Sequence, residues 1–248
     1  DQGKLDEAVK TFKKALLINP HSHETYNNMG NALQDQGKSD EAIEAYSTAI
    51  TLKPDYAQAY YNLGTTYKDL GRLEEAIQVY KKAILLKPDS YEAYNNMGNA
   101  LQDQGKLNEA VDAYKNALFI KPDYTEAYCN SSFIYNLKGD LQKGLKLYEW
   151  RLKRKVSKTR PPRDHLIWDG IKSIEGKNFF VYAEQGLGDI IQFSRYLLLL
   201  KQRGAEVTFK VQPKMFVLLQ TIDRNIILVN SDPEESKIDF EAPLMSLP

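Results

Sequence analysis

The chain has 248 residues, of which 42% are hydrophobic, so it can form one large or two ordinary globular domains. Its 33 basic and 33 acidic residues balance, so no global charge favours nucleic acid or an anionic membrane as a partner. The single cysteine, Cys129, excludes an internal disulfide framework, and no long uncharged apolar run is present to cross a bilayer. We therefore expect a cytoplasmic protein that binds neither nucleic acid nor membranes.

The N-terminal part of the chain repeats itself every 34 residues. The letters YNNMGNALQDQGK occur unchanged at 26–38 and 94–106, and the looser copy YYNLGTTYKDLGR lies between them at 60–72. Eight apolar or small positions recur in phase over three units, and a fixed period in this range indicates stacked supersecondary units. In the first unit these positions are Tyr26, Met29, Gly30, Leu33, Ala42, Tyr46, Ala49 and Pro54. The pattern resembles the tetratricopeptide repeat over roughly residues 1–155.

Each repeat is expected to form two antiparallel helices. A glycine on the first helix should face an alanine on the second, as Gly30 faces Ala42, so that the two backbones approach closely. A second glycine, such as Gly37, should end the first helix in the left-handed conformation. The aspartate of each PD pair, such as Asp55, should cap the next first helix.

The predicted array is a right-handed solenoid with a half repeat, three full repeats and one degenerate capping repeat. The chain opens with the second half of a unit, from which we expect further repeats to precede it in the natural protein. The last unit has Ser132 in place of the glycine and Gly144 in place of the alanine. Such drift is typical of a terminal repeat with one uncovered face.

One repeat position is asparagine in every unit, at Asn28, Asn62, Asn96 and Asn130. Asparagine in mid-helix lowers helix propensity, so its recurrence favours a functional role. Stacked first helices would place these amides about 10 Å apart, which extended peptide covers in about three residues. An amide both donates and accepts hydrogen bonds, so the row could pair with a peptide backbone of any sequence. The alternative is that these amides are solvated or hydrogen bond locally between helices.

The asparagine row resembles that of O-linked N-acetylglucosamine transferase, whose inner groove holds extended polypeptide substrates. The resemblance implies extended or unstructured protein segments as partners. Further candidate peptide-binding residues on the first helices are Asn31, Asn99, Asp35, Asp69 and Asp103.

Residues 156–176 are predicted to be a linker, and residues 177–248 a Rossmann-like α/β segment. Phe179 to Ala183 is the first expected strand, Asp189 to Arg203 a helix, and Glu206 to Gln212 the next strand, which together make a βαβ unit. The turn QGLGD places Gly186, Gly188 and Asp189 at the carboxyl end of the first strand, where such folds bind ligands. A dinucleotide fingerprint needs a third glycine where the chain has Ile191, so an oxidoreductase is disfavoured.

The phrases WDG, VYAEQGLGDIIQFSRYL and APLMSLP resemble the start of a GT-B glycosyltransferase region that follows tetratricopeptide repeats in many bacterial proteins. The resemblance implies an acceptor cleft bordered by Gly186 and Gly188, with Asp189 as candidate general base; the alternative for Asp189 is a helix N-cap. It also implies that the parent protein uses a nucleotide sugar, most simply a UDP-sugar. The donor-binding half would follow Pro248, so this chain alone is expected to be inactive and to hold no cofactor.

Other candidate sites are weaker. His21 and His23 point to different helix faces and lack a third ligand, so no metal site is expected. The basic residues Arg151, Lys153, Arg154, Lys155, Lys158, Arg160 and Arg163 are interpreted as a solvated connector. The preferred function is a protein-binding module that serves as the substrate-recognition arm of a protein glycosyltransferase. The alternative is an assembly scaffold without transferase activity, and self-association is compatible with both.

Overall fold

The computed structural model describes residues 2–153, 163–184 and 186–247. Two compact units divide the chain, Asp1–Tyr148 and Glu149–Pro248, so the division precedes residue 155, where the sequence placed the end of the repeats. Of the predicted linker 156–176, residues 156–162 lie outside the described residues. The part from 163 onward belongs to the second unit.

The first unit is a helical solenoid, as the repeats predict. Its helices alternate in chain order, and the even-numbered ones are the first helices of successive repeats. The helices are α1 (Gln2–Ile18), α2 (His23–Asp35), α3 (Ser39–Leu52), α4 (Ala57–Asp69), α5 (Leu73–Leu86), α6 (Tyr91–Asp103), α7 (Leu107–Ile120), α8 (Thr125–Leu137) and α9 (Leu141–Tyr148). Within the described residues, no helix combines the length and apolarity needed to cross a membrane.

The glycine on the first helices α2, α4 and α6 makes room for a tyrosine ring and not for the alanine that we expected. A Cβ on Gly64 would lie 2.7 Å from Cε1 of Tyr80, whose side chain is fully buried. Gly30 and Gly98 meet Tyr46 and Tyr114 in the same way. The close approach therefore accommodates the largest side chain of the second helix, because a ring needs more depth than a methyl group.

The turn glycines are confirmed, whereas the predicted aspartate caps are wrong. Gly37 and Gly71 have φ of 75° and 74°, in the left-handed region where a first helix ends. The N-cap of α4 is Tyr56, one residue after Asp55, and its side chain makes no capping hydrogen bond. Asp55 lies instead in the preceding turn, where its carbonyl accepts from the N–H of Ala57.

The second unit is built on a four-stranded parallel sheet. Its elements are β1 (Asn178–Tyr182), α10 (Leu187–Phe193), α11 (Arg195–Gln202), β2 (Glu206–Lys210), α12 (Phe216–Leu219), β3 (Ile227–Val229) and β4 (Phe240–Pro243). The predicted βαβ unit is present, but its helix is divided at Ser194, whose hydroxyl donates to the carbonyl of Ile191 at 2.9 Å. Buried strand residues such as Val181, Val207 and Phe209 form the core.

The strand order β3-β2-β1-β4 places a topological switch point between β1 and β4. The chain runs outward from β1 through β2 to β3 and then returns to the other side of β1. Open parallel sheets bind ligands outside the carboxyl ends of the strands at such a point. The residues that follow Tyr182 and Pro243 therefore occupy the position where a site is expected.

Candidate functional site

The first helices α2, α4, α6 and α8 lie side by side, each in contact with the next. Four of their repeat positions follow the spacing i, i+4, i+7 and i+11, which places them on one stripe of each helix. We call the surface made by these sixteen residues the first-helix face. It comprises Glu24, Asn28, Asn31 and Asp35; Gln58, Asn62, Thr65 and Asp69; Glu92, Asn96, Asn99 and Asp103; and Glu126, Asn130, Phe133 and Leu137.

The asparagine row on this face is tied into hydrogen bonds between repeats. Asn62 Nδ2 donates to Asn27 Oδ1 and to Asn31 Oδ1, both at 2.9 Å. Asn62 Oδ1 accepts from Gln58 Nε2 at 2.9 Å, and Asn62 is only 9% exposed. Its amide thus holds α4 against α2, as the alternative of local bonding between helices describes.

The same link recurs 68 residues later. Asn130 Nδ2 donates to Asn95 Oδ1 at 3.1 Å and to Asn99 Oδ1 at 2.9 Å. Between these two links, Asn96 Nδ2 donates to the hydroxyl of Tyr61 at 3.0 Å, because Tyr61 stands where the units before and after it have Asn27 and Asn95. The polar contacts between repeats therefore alternate, with a period of two repeats.

The identical segments 26–38 and 94–106 supply the acceptors of both links. Asn31 Oδ1 also accepts from the hydroxyl of the buried Tyr46 at 2.8 Å, and Asn99 Oδ1 accepts from Tyr114 at 2.8 Å. Burial raises the pKa of both tyrosine hydroxyls, so they remain neutral donors. Asn27, which is 3% exposed, is a buried anchoring residue, a role that our sequence reasoning did not give it. The unchanged thirteen-letter repeat was the signal that could have found it.

Asn28 differs from the other members of its row because its side chain is exposed. The three aspartates Asp35, Asp69 and Asp103 are exposed too, and each is the last residue of its helix. Asp69 accepts from Gln34 Nε2 at 3.4 Å and lies 3.4 Å from Lys68 Nζ. For the described part of the chain, neither of the other two aspartates has an ion-pair partner within 4.0 Å.

A recess of about 240 Å³ opens beside the middle of the face. It is lined by Ala57, Gln58, Tyr61, Ala83, Lys87, Ser90 and Glu92. Gln58 and Glu92 belong to the first-helix face, and Tyr61 is the residue at which the alternating pattern changes. The recess is large enough for one side chain of a bound segment.

The comparisons with known proteins agree with this geometry. A family model described as TPR repeat matches residues 1–37, 30–71 and 64–105, and one described as tetratricopeptide repeat matches residues 91–124. Together they span residues 1–124, half of the chain. The chain belongs to the tetratricopeptide repeat family. No curated protein matches it.

Solved tetratricopeptide repeat structures share the fold of the first unit. MamA is 29% identical, with a TM-score of 0.57, and the match covers 61% of this chain and 88% of MamA. MamA from Desulfovibrio magneticus RS-1 is 20% identical, with a TM-score of 0.57 and coverage of 62% and 89%. YrrB, described as a TPR protein with an unusual peptide-binding site, is 22% identical, with a TM-score of 0.53 and coverage of 61% and 78%.

After the tetratricopeptide repeats, the second unit carries a buried ionic cluster at its switch point. Arg151 Nη2 donates to Glu184 Oε2, just after β1, and to Ser246 Oγ, just after β4, both at 2.8 Å. Arg151 Nη1 donates to Glu149 Oε1 at 2.7 Å, and Ser246 Oγ donates to the same carboxylate at 2.9 Å. Sequence reasoning missed Glu184 and Ser246, which lie 33 and 95 residues from Arg151.

Burial controls the electrostatics of this cluster. It raises the pKa of Glu184 above its ordinary value, and the nearby Arg151 guanidinium only partly opposes this effect. Burial also disfavours the charged form of Arg151, but Glu184 and Glu149 outweigh it and raise the pKa of that guanidinium. The interpretation of Arg151 as part of a solvated connector is therefore wrong, since its side chain is 7% exposed.

The rest of the basic segment has mixed surroundings. Arg163 Nε lies 3.9 Å from the fully buried carboxylate of Glu241, and Lys153 Nζ lies 4.1 Å from the ring centroid of Trp150. Arg154, Lys155, Lys158 and Arg160 lie outside the described residues.

The predicted acceptor residues lie at the start of α10. Gly186 is its N-cap, so the alternative that Asp189 caps this helix is wrong; Gly188 is exposed, and Asp189 is partly buried in the first turn. A cavity of about 450 Å³ lies elsewhere in this unit and is lined by none of these three residues. Its lining is Glu149, Leu152, Ile167, Trp168, Asp169, Gly170, Arg203, Ala242, Pro243, Ser246 and Leu247.

Proposed function

We propose that the first-helix face binds an extended segment of another polypeptide. The observation that carries this proposal is a stripe of polar side chains that recurs in register on α2, α4 and α6, all of them exposed or half-buried except the buried Asn62. Solenoid proteins use such repeated surfaces for binding. The peptide-binding site named for YrrB, which shares the fold, supports the same function.

The hydrogen bonds between repeats indicate different roles for the side chains of this face. Asn62, Asn96 and Asn130 fix the distance between adjacent first helices, because each donates to the preceding repeat. Asn28, Asn31 and Asn99 and the three aspartates, Asp35, Asp69 and Asp103, are then the side chains that contact the bound segment. This assignment keeps six of the nine predicted peptide-binding residues and gives the other three, Asn62, Asn96 and Asn130, a scaffolding role.

A steric block tests the proposal. Asp69→Trp places a bulky ring at the middle of the face, and Gln78→Trp places the same ring on the exposed surface of α5. The probe is fluorescein-labelled egg-white lysozyme, reduced and alkylated with iodoacetamide, which is basic and cannot fold. We expect Asp69→Trp to weaken its binding by about tenfold and Gln78→Trp to leave it unchanged, as measured by fluorescence anisotropy. Equal affinity of both variants would contradict the proposal.

We further propose that the repeats deliver the captured segment to a glycosyltransferase that includes the parallel-sheet unit. The resemblance of the QGLGD turn supports this role, and so does the ligand-binding position of the switch point between β1 and β4. In this role Asp189 accepts the proton of the acceptor hydroxyl, and Gly186 and Gly188 border the acceptor. The sugar donor is a nucleotide sugar of the UDP class.

Mass spectrometry tests the transferase role on the product of the complete reading frame. Incubation with UDP-sugars and reduced, iodoacetamide-alkylated lysozyme should add hexose or N-acetylhexosamine, and Asp189→Asn should abolish the addition. Transfer that persists in Asp189→Asn would remove the role of this carboxylate. Absence of any transfer, with polypeptide binding intact, would favour the assembly-scaffold alternative.

A further inference from the structure

We infer that the segment bound by the first-helix face is basic, with lysine or arginine side chains about every third residue and an apolar side chain at the end that lies over α8. This inference rests on the proposed function and specifies the class of partner. The chain as a whole is neutral, so the preference arises only from how the charges are distributed.

The first-helix face is acidic although the protein is not. Its sixteen positions carry six carboxylates and no lysine or arginine. Three of the six, Glu24, Glu92 and Glu126, lie in the first turns of their helices, where the helix dipole stabilises negative charge. These three have a sufficient structural explanation.

The other three carboxylates have no such explanation. Asp35, Asp69 and Asp103 end their helices, where the unsatisfied carbonyl groups make a negative charge unfavourable. Lys68 partly compensates Asp69, but among the described residues no cation lies within 4.0 Å of the other two. A recurrent, exposed and electrostatically unfavourable carboxylate is stabilised when a cationic ligand binds it.

The spacing of the aspartates sets the spacing of the cations. Adjacent first helices pack at about 10 Å, and a peptide in the polyproline II conformation rises about 3.1 Å per residue with about three residues per turn, so its side chains three apart point the same way. Every third side chain of a bound segment therefore meets the next aspartate. Lysine or arginine at these positions would pair with Asp35, Asp69 and Asp103 in succession.

The first-helix face becomes partly apolar on α8, the first helix of the last repeat. Leu137 takes the position of the aspartates and Phe133 the position of Asn31 and Asn99. Their side chains are 62% and 56% exposed and lie one turn apart on α8. An apolar side chain at one end of the bound segment would cover them, which is why we expect a basic segment with an apolar end.

Labelled peptides of about twelve residues, enough to cross four helices, test this inference on the full chain. Three peptides share one sequence with a terminal leucine pair and differ only in carrying lysine, glutamine or glutamate at every third position. Each is made with the leucine pair at either end. We expect the lysine peptide to bind about tenfold more tightly than the glutamine peptide at low salt, with the glutamate peptide weakest.

Two matched triple variants test whether the aspartates of the first-helix face cause the tighter binding of the lysine peptide. Asp35→Asn, Asp69→Asn and Asp103→Asn together should reduce the affinity for the lysine peptide to that for the glutamine peptide. The control removes the same charge from exposed positions of the second helices, at Glu7, Glu41 and Glu109. Glu7→Gln, Glu41→Gln and Glu109→Gln together should change the affinity less than about twofold.

The outcomes separate this inference from the proposed function. If the three peptides bind equally well, the basic preference is refuted while binding to the face stands. If both triple variants lose affinity alike, the aspartates of the face are not the source of the preference and the inference is refuted. If no peptide and no unfolded polypeptide binds, both fail. The double variant Phe133→Ser, Leu137→Ser should remove the advantage of the leucine pair, and an unchanged advantage would refute the apolar end.

Discussion

Substituting Asn62 by alanine should destabilise the repeats, whereas the same change at Asn28 should not. Asn62→Ala removes two donated hydrogen bonds of 2.9 Å and leaves the side-chain oxygen Oδ1 of the buried Asn27 without that donor. At about 1 kcal/mol per hydrogen bond, with an added cost for the buried acceptor, the loss is about 2–3 kcal/mol. The higher helix propensity of alanine offsets about 0.5 kcal/mol of it.

Asn28 provides a matched control because it occupies the same repeat position on an exposed surface. Its side chain only accepts a long hydrogen bond of 3.5 Å from Asn27 Nδ2, so Asn28→Ala should be neutral or slightly stabilising. Urea unfolding followed by far-UV circular dichroism reports mainly on the helical repeats and measures both changes. If Asn62→Ala unfolds at the same urea concentration as Asn28→Ala, the links between repeats do not stabilise the solenoid.

The remaining predictions concern a backbone contact and the ionic cluster. Gly64→Ala should lower the free energy of unfolding by about 1–3 kcal/mol, since its Cβ would lie 2.7 Å from a buried tyrosine ring. Gly3→Ala should stabilise α1, because a Cβ there would have nothing within 4 Å. Thermal unfolding followed by circular dichroism compares the two variants. Glu184→Ala should destabilise the second unit by about 3 kcal/mol because it removes a buried partner of Arg151, and Glu149→Ala by less, since Glu149 is 44% exposed. Tryptophan fluorescence follows both, and equal losses would refute the difference in burial. Because burial raises the pKa of Glu184, its carboxyl group stays protonated to a higher pH in the folded unit than in the unfolded chain. The contribution of Glu184 to stability should therefore fall as the pH rises from its unfolded pKa through its folded pKa, and this dependence should disappear in Glu184→Ala.

The repeat architecture could be predicted because each of its determinants is local and recurs every 34 residues. Turn glycines such as Gly37 are fixed by their own backbone conformation, so the sequence identifies them directly. The partner of Gly30 could not be identified in this way. Whether Ala42 or Tyr46 fills the space depends on the rotation of the second helix, and the spacing of apolar positions allows both.

The partners of the asparagine row were beyond sequence reasoning for a related reason. The row has a period of 34 residues, yet its hydrogen bonds have a period of 68, because the acceptor at Asn27 and Asn95 is replaced by Tyr61 in between. Asn62 and Asn28 are equivalent in sequence, but Asn62 bonds to the preceding first helix, α2, whereas the first helix next to Asn28 is the following one, α4. Availability to a ligand is therefore a property of neighbours and not of the residue type.

In the second unit, the order of strand, turn and helix could be predicted from local pattern, but the ionic cluster could not. Arg151, Glu184 and Ser246 meet only because β1 and β4 are adjacent in the sheet, which no local signal specifies. Ser194 shows the same limit, since a single serine divides a helix whose apolar pattern is continuous.

Photo-cross-linking of an unfolded polypeptide to the full chain tests the central claim most directly. Reduced, iodoacetamide-alkylated lysozyme carrying diazirine groups is bound, irradiated and digested, and the modified residues are located by mass spectrometry. The account predicts cross-links concentrated on the first-helix face of α2, α4, α6 and α8. Cross-links concentrated on the odd-numbered helices, or confined to the parallel-sheet unit, would contradict it.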